Sequence, residues 1–138
     1  MATFNKFNQF VRDVLEAKHN FASDMFYVAL SNAQPQPEDT VLADITQIAP
    51  GNGYVDGGIP VPVMTALTAD RARVEGTEAV FTATGGLIGP VRYAVMYNDD
   101  KPGKPLVGWW DYGESVVLQL TEQFTVRFID TGEILSLR

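Results

Sequence analysis

Residues 91–97, VRYAVMY, constrain the fold more than any other stretch. Val91, Tyr93, Val95 and Tyr97 share one face of an extended strand, while Arg92, Ala94 and Met96 share the other. Asn98-Asp99-Asp100-Lys101-Pro102-Gly103 follows with turn chemistry, and Leu106 to Asp111 returns. The run from Gly85 to Gly113 therefore reads as a β-hairpin built for packing. It holds no nucleophile with a base beside it, which tilts the reading toward surfaces rather than catalysis.

The rest of the chain after Asp24 follows the same grammar. Residues 25–32 (MFYVALSN) read as a strand, and Pro35 and Pro37 force a loop after it. Thr40 to Ile48 predicts a short helical turn carrying Val41, Leu42 and Ile45. The Gly-rich segment 49–58 matches no phosphate-binding pattern, so its glycines are assigned to turns needing positive φ. Residues 59–68, with Pro60 and Pro62, predict an edge strand, and Arg71 to Glu75 is placed to pair with it. Strands are expected at 78–84, 115–120, 123–129 and 133–137, with Phe124, Val126 and Phe128 on one face and a turn at Asp130-Thr131-Gly132. Short strands separated by turn signals every 8–12 residues or so indicate an antiparallel β-sandwich or jelly-roll-like fold.

Only the N-terminus is helical in pattern. Phe4, Phe7, Val11, Val14, Leu15 and Lys18 form a stripe that predicts a helix over 3–19. Thr3 is the expected cap and Asn20 the expected stop. A single domain over 1–138 is expected, with this helix and a β-sandwich over 25–138.

Composition narrows the function. Of 138 residues, 46% are hydrophobic and 20% charged, enough for a sizeable core. A net charge of −7 repels phosphate backbones and anionic lipid, so neither nucleic acid nor membrane is an expected partner. With no cysteine and a single histidine, neither disulfides nor a zinc site is expected. The N-terminus lacks the uninterrupted apolar core of a signal peptide, and no apolar run is long enough to span a bilayer. A protein made in a reducing cytoplasm is the expectation.

Candidate chemistry is thin. His19 sits at the end of the expected helix, where a surface or helix-terminal role is expected, and no GxSxG elbow accompanies it. Asn98, Asp99 and Asp100 lack the spacing of a calcium loop. Asp44, Asp56, Asp111, Glu114 and Glu122 are scattered and form no recognisable acid pair. No catalytic residue, metal ligand or cofactor is expected, and the chain is read as a non-enzyme.

Aromatic residues are the stronger signal. Trp109 and Trp110 are adjacent in a strand and must face opposite ways, so one enters the core and the other meets a covering element or another chain. Phe4, Phe7 and Phe10 need burial on the N-terminal helix. These five, with Tyr112, are the candidate interface or interface-supporting residues. A β edge near Pro60 to Pro62 is a further candidate contact.

Four segments, KFNQFVRDVLEAKHNFASDMFYVALSN, TVLADITQIAPGNGY, FTATGGLIGPVRYAVMYND and LVGWWDYG, together resemble a group of small structural proteins encoded by tailed bacteriophages and prophages. The IGPxRYxVxYND and GWWDYG parts carry most of that resemblance. It implies a non-enzymatic virion component, made in the bacterial host and located on the virion. A capsid decoration or cement protein is the first expectation. It would bind the major capsid protein or other virion proteins and associate with itself, with a trimer plausible. A tail, neck or head-fibre component is the second, though the chain lacks the repeats of a long fibre. A carbohydrate-binding virion module is the third.

Overall fold

The computed structural model describes residues 4–128 and 133–137. It is mainly β, with about 50% of residues in strands and 9% helical. In chain order the elements are β1 (Phe4–Lys6), α1 (Asn8–Leu15), β2 (Phe26–Ser31), a 3-10 turn (Leu42–Asp44), β3 (Ile59–Val61), β4 (Val63–Thr68), β5 (Arg71–Gly76), β6 (Ala79–Thr82), β7 (Ile88–Asn98), β8 (Leu106–Leu118), β9 (Gln123–Val126) and β10 (Glu133–Leu137).

The β7–β8 hairpin is the spine. Ala94 pairs with Trp110, Val95 with Trp109 and Met96 with Gly108. The Asn98 amide closes the turn onto the Pro105 carbonyl at 2.9 Å. β2 lies against β7, and β1 and β3 flank the pair, giving an antiparallel five-stranded sheet ordered β1-β8-β7-β2-β3. Its middle is covered on both faces: every residue of β2 but Tyr27 is buried, as are all of residues 93–98 and 105–110. The remaining strands form a three-stranded sheet, β10-β5-β4, and a two-stranded one, β6-β9.

Three expectations are corrected. The N-terminal helix is α1 alone, not 3–19. Phe4–Lys6 is extended because it pairs with Trp110, Trp109 and Gly108, an alternative that satisfies backbone groups and buries the Phe4 ring together. The helix stops early, with Ala17 at φ 59° and the Lys18 amide donating to the Asp13 carbonyl at 2.8 Å. Thr3, the expected cap, lies outside the described residues. The buried face also differs from the expected stripe: α1 buries Phe10 and Asp13, whereas Leu15 is 83% exposed and Val11 half-exposed.

The second correction is at 59–68, which is two strands. Pro62 lacks an N–H and interrupts the ladder, so β3 ends the five-stranded sheet and β4 begins the three-stranded one. The pairing of Arg71–Glu75 with this edge holds, through β4. Third, the expected strands 106–111 and 115–120 are one continuous strand, β8, which runs through Gly113 at φ 103°.

Other features match their expectations. The helical turn within 40–48 forms at Leu42–Asp44, with the Asp44 carboxylate accepting from the Thr40 and Val41 amides at 3.0 and 3.3 Å. In the 49–58 loop, Gly51, Gly53, Gly57 and Gly58 all have positive φ. A side chain at Gly58 would collide with the Val28 carbonyl. Phe124, Val126 and Phe128 are all buried. The expected turn at Asp130-Thr131-Gly132 lies outside the described residues.

Candidate functional site

The two tryptophans do face opposite ways, and the chain covers both. Phe7, which precedes α1, places its ring 4.7 Å from that of Trp109. On the other face the Phe4 and Phe128 rings lie 5.3 and 5.1 Å from Trp110. Trp109 keeps 8% of its surface exposed and Trp110 6%. Phe7 and Phe10 are buried and Phe4 is half-buried. Of the six candidate interface residues, only Tyr112 is open to solvent, at 56%. Of the other five, Trp110 lines an open cleft with Phe4 packed on its ring, while Phe7, Phe10 and Trp109 belong to the core away from it.

Strand alternation puts Arg92, Ala94, Trp110 and Tyr112 on one face of the β7–β8 hairpin, opposite Phe124 and Val126 of β9. Where these layers part they leave a cavity of about 360 Å³, with Trp110, Ala94, Phe124 and Val126 among its walls. Tyr112 stands beside it, its ring 5.3 Å from that of Phe124. Two arginines also line it. Arg92 forms a two-bond fork with Asp111, Nε to Oδ1 at 2.9 Å and Nη2 to Oδ2 at 3.2 Å. This fork holds the Asp111 carboxyl below its ordinary value. Arg127 donates through Nε to Glu78 at 2.9 Å. The cleft is thus apolar in its walls and charged at the sides.

A second polar cluster lies under the β7–β8 turn. Asn98 is fully buried and donates through Nδ2 to Asp24 at 2.8 Å, with the His19 Nδ1 at 3.2 Å. The His19 ring is enclosed by Phe10, Phe21 and Phe26. Among the described residues its Nε2 has no hydrogen-bond partner, and it lies 4.0 Å from the buried carboxylate of Asp13. Burial lowers the His19 pKa, against the opposing pull of Asp13 and Asp24. His19 is therefore a core residue, not the surface or simple helix-terminal group expected.

The turn acids are occupied too. Asp99 pairs with Lys104, and Asp100 accepts from the Met25 amide at 2.8 Å. Among the described residues, no group of three His, Cys, Asp or Glu side chains is placed to hold a metal ion.

Sequence reasoning missed Arg92, Phe124 and Arg127 as cleft residues, and Asp13 as a buried acid. The alternation of Phe124, Val126 and Phe128 was a usable signal for the β9 wall. Nothing local marked Arg127 or Asp13.

No protein-family model, curated protein or solved structure matches this chain. Among the described residues, no helix is long and apolar enough to cross a membrane.

Proposed function

We propose that this chain is a non-enzymatic structural protein of a bacteriophage virion, folded as a β-sandwich-like body and acting by binding other virion proteins. A capsid decoration role is the first form of this reading. The observation that carries it is the residue content of the cleft. Tryptophan, tyrosine and arginine are the side chains that dominate binding energy at protein interfaces, and Trp110, Tyr112, Arg92 and Arg127 converge there. At about 360 Å³ the cavity has room for more than one apolar side chain of a partner, with polar neighbours meeting the arginines. Phe4 and Phe128 pack on the Trp110 ring, so that wall of the cleft is in place before binding and less ordering cost falls on the complex.

Many weak contacts of this kind, repeated over a shell, would hold it against expansion through mass action and multivalency. The resemblance to phage structural proteins supplies the partner class, with the major capsid protein as the first candidate. A tail, neck or head-fibre position is the alternative within that class. Exposed Tyr112 also offers a ring on which a sugar could stack, which favours a carbohydrate-binding module as the second reading.

The test is binding of the purified chain to undecorated capsids and to isolated tails. Capsid binding weakened at least tenfold by Tyr112→Ala or Arg127→Glu supports the decoration reading. Labelling of tails alone moves the protein to the tail. Binding to a glycan array that Tyr112→Ala abolishes replaces the protein partner with a sugar.

A further inference from the structure

A strand at the edge of a sheet shows unpaired N–H and C=O groups, and folded proteins blunt such edges with charge, proline, bulges, shortness or cover. Most edges of this chain carry one of these devices. β1 and β3 are three residues long, the first ending in Lys6 and the second containing Pro60. β10 begins with Glu133 and is irregular in register between Glu133 and Leu135. β6 and β9 are four residues long and turn alternate residues into the core.

β4 is different. It is six residues long, VMTALT, with no charge, no proline and no break in its pairing with β5. None of its residues is buried; Met64 is 62% exposed and Leu67 73%. In the sheet order β10-β5-β4 its outer side has no neighbour among the described residues.

We infer that β4 is a docking edge for β4 of a second copy of this chain, joining two three-stranded sheets into one of six strands across a two-fold axis. Charge permits this occupant here, and the pattern of the strand, which matches itself apolar to apolar, selects it. The chain carries −7, so two copies repel over most of their surface. Residues 63–76 carry no net charge: Asp70 and Glu75 offset Arg71 and Arg73. Arg73 is paired to Glu75 within β5, and Arg71 to Glu133 of β10. A second copy can therefore approach here without meeting like charge.

Symmetry then fixes the register. A two-fold perpendicular to the sheet pairs residues of the same face, so it is centred on a residue rather than between two. Centring on Thr65 sets Val63 against Leu67 of the second copy and Met64 against its Ala66. Both faces of the join then match apolar to apolar. Centring on Ala66 sets Met64 against threonine and leaves Leu67 beside Thr65, a poorer match.

This inference rests on the reading of the chain as a self-associating structural protein, but its test does not involve the cleft. The mass of the purified chain is measured by sedimentation velocity from 1 to about 200 µM, alongside Thr65→Lys. That change places two ammonium groups face to face at the axis. The expected result is a concentration-dependent dimer, weakened at least tenfold by Thr65→Lys. Leu67→Lys serves as a second variant if the first fails to fold, and is expected to act alike. A monomer throughout, a mass of three copies, or an oligomer indifferent to these changes overturns the inference. Capsid binding lost in Tyr112→Ala, with the dimer intact, separates failure at the cleft from failure at the edge.

Discussion

The five-stranded sheet and the β10-β5-β4 sheet use strands of similar apolar content and treat them in opposite ways. β2 (FYVALS) buries all but Tyr27, whereas β4 (VMTALT) buries nothing. The difference lies in position. β2 sits between β7 and β3, whereas β4 has one neighbour and, among the described residues, only Val63 of its apolar side chains packs against the core. Of the small sheet, Val74 and Ile134 are its buried residues among those described. Apolar content alone thus does not assign a strand to a core, and neither does the number of neighbours: β6 and β9 have one each and still turn alternate residues inward, because another layer packs on that face.

The largest expected effect that tests this contrast is Trp110→Ala. It empties the space between Phe4 and Phe128 and is expected to cost about 3–5 kcal/mol in denaturant unfolding. A cost below about 1 kcal/mol would break the comparison. Gly108→Ala comes next. Its added carbon would run into the Phe4 ring and lie 2.7 Å from the Asn5 carbonyl oxygen. The expected cost is about 1–3 kcal/mol, with hydrogen-exchange protection lost at Phe4–Lys6 and kept at the β2–β7 ladder. Protection kept at β1 would mean the segment is not held through Gly108.

Acidification is expected to act on the same sheet. The His19 pKa is lowered from its ordinary 6.5 by burial among three phenylalanines, with Asp13, Asp24 and Lys101 as the charges that act on it. Below 6.5 the unfolded chain binds a proton that the folded chain refuses, so stability falls with pH until the folded value is passed. Asp24, Asp44 and Asp111 are lowered carboxyls whose losses come only further into acid. His19→Gln should flatten the unfolding midpoint between pH 7 and 5; an unchanged slope would refute the assignment. The smallest effect is expected at Leu67→Ala, within about 0.5 kcal/mol when measured on the dilute monomer. A cost matching that of Trp110→Ala would show that β4 is covered after all.

Legibility in the sequence followed the range of the interactions. The β7–β8 hairpin could be read because alternation and turn chemistry are local properties, and so could the glycines of 49–58. The extent of the helix could not, because Phe4–Lys6 is claimed by a strand at the far end of the chain. The periodic stripe through Val11 and Leu15 misled for a related reason: the buried position is taken by Asp13, next to His19 and Lys18. The opposition of Trp109 and Trp110 was readable from strand geometry, but not that Phe4 and Phe7 would answer one each. The cleft was hidden because its walls come from three strands.

The break at Pro62 makes β3 and β4 one length of backbone shared by two sheets. Tension applied along β4 would pass straight into β3 and bear on its three residue pairs with β2. Ladder bonds lie across the strand direction, so such a pull loads them together in shear rather than peeling them singly. The proline joint is therefore a load path: it ties a strand with no buried residue to the sheet that holds the buried β7–β8 hairpin.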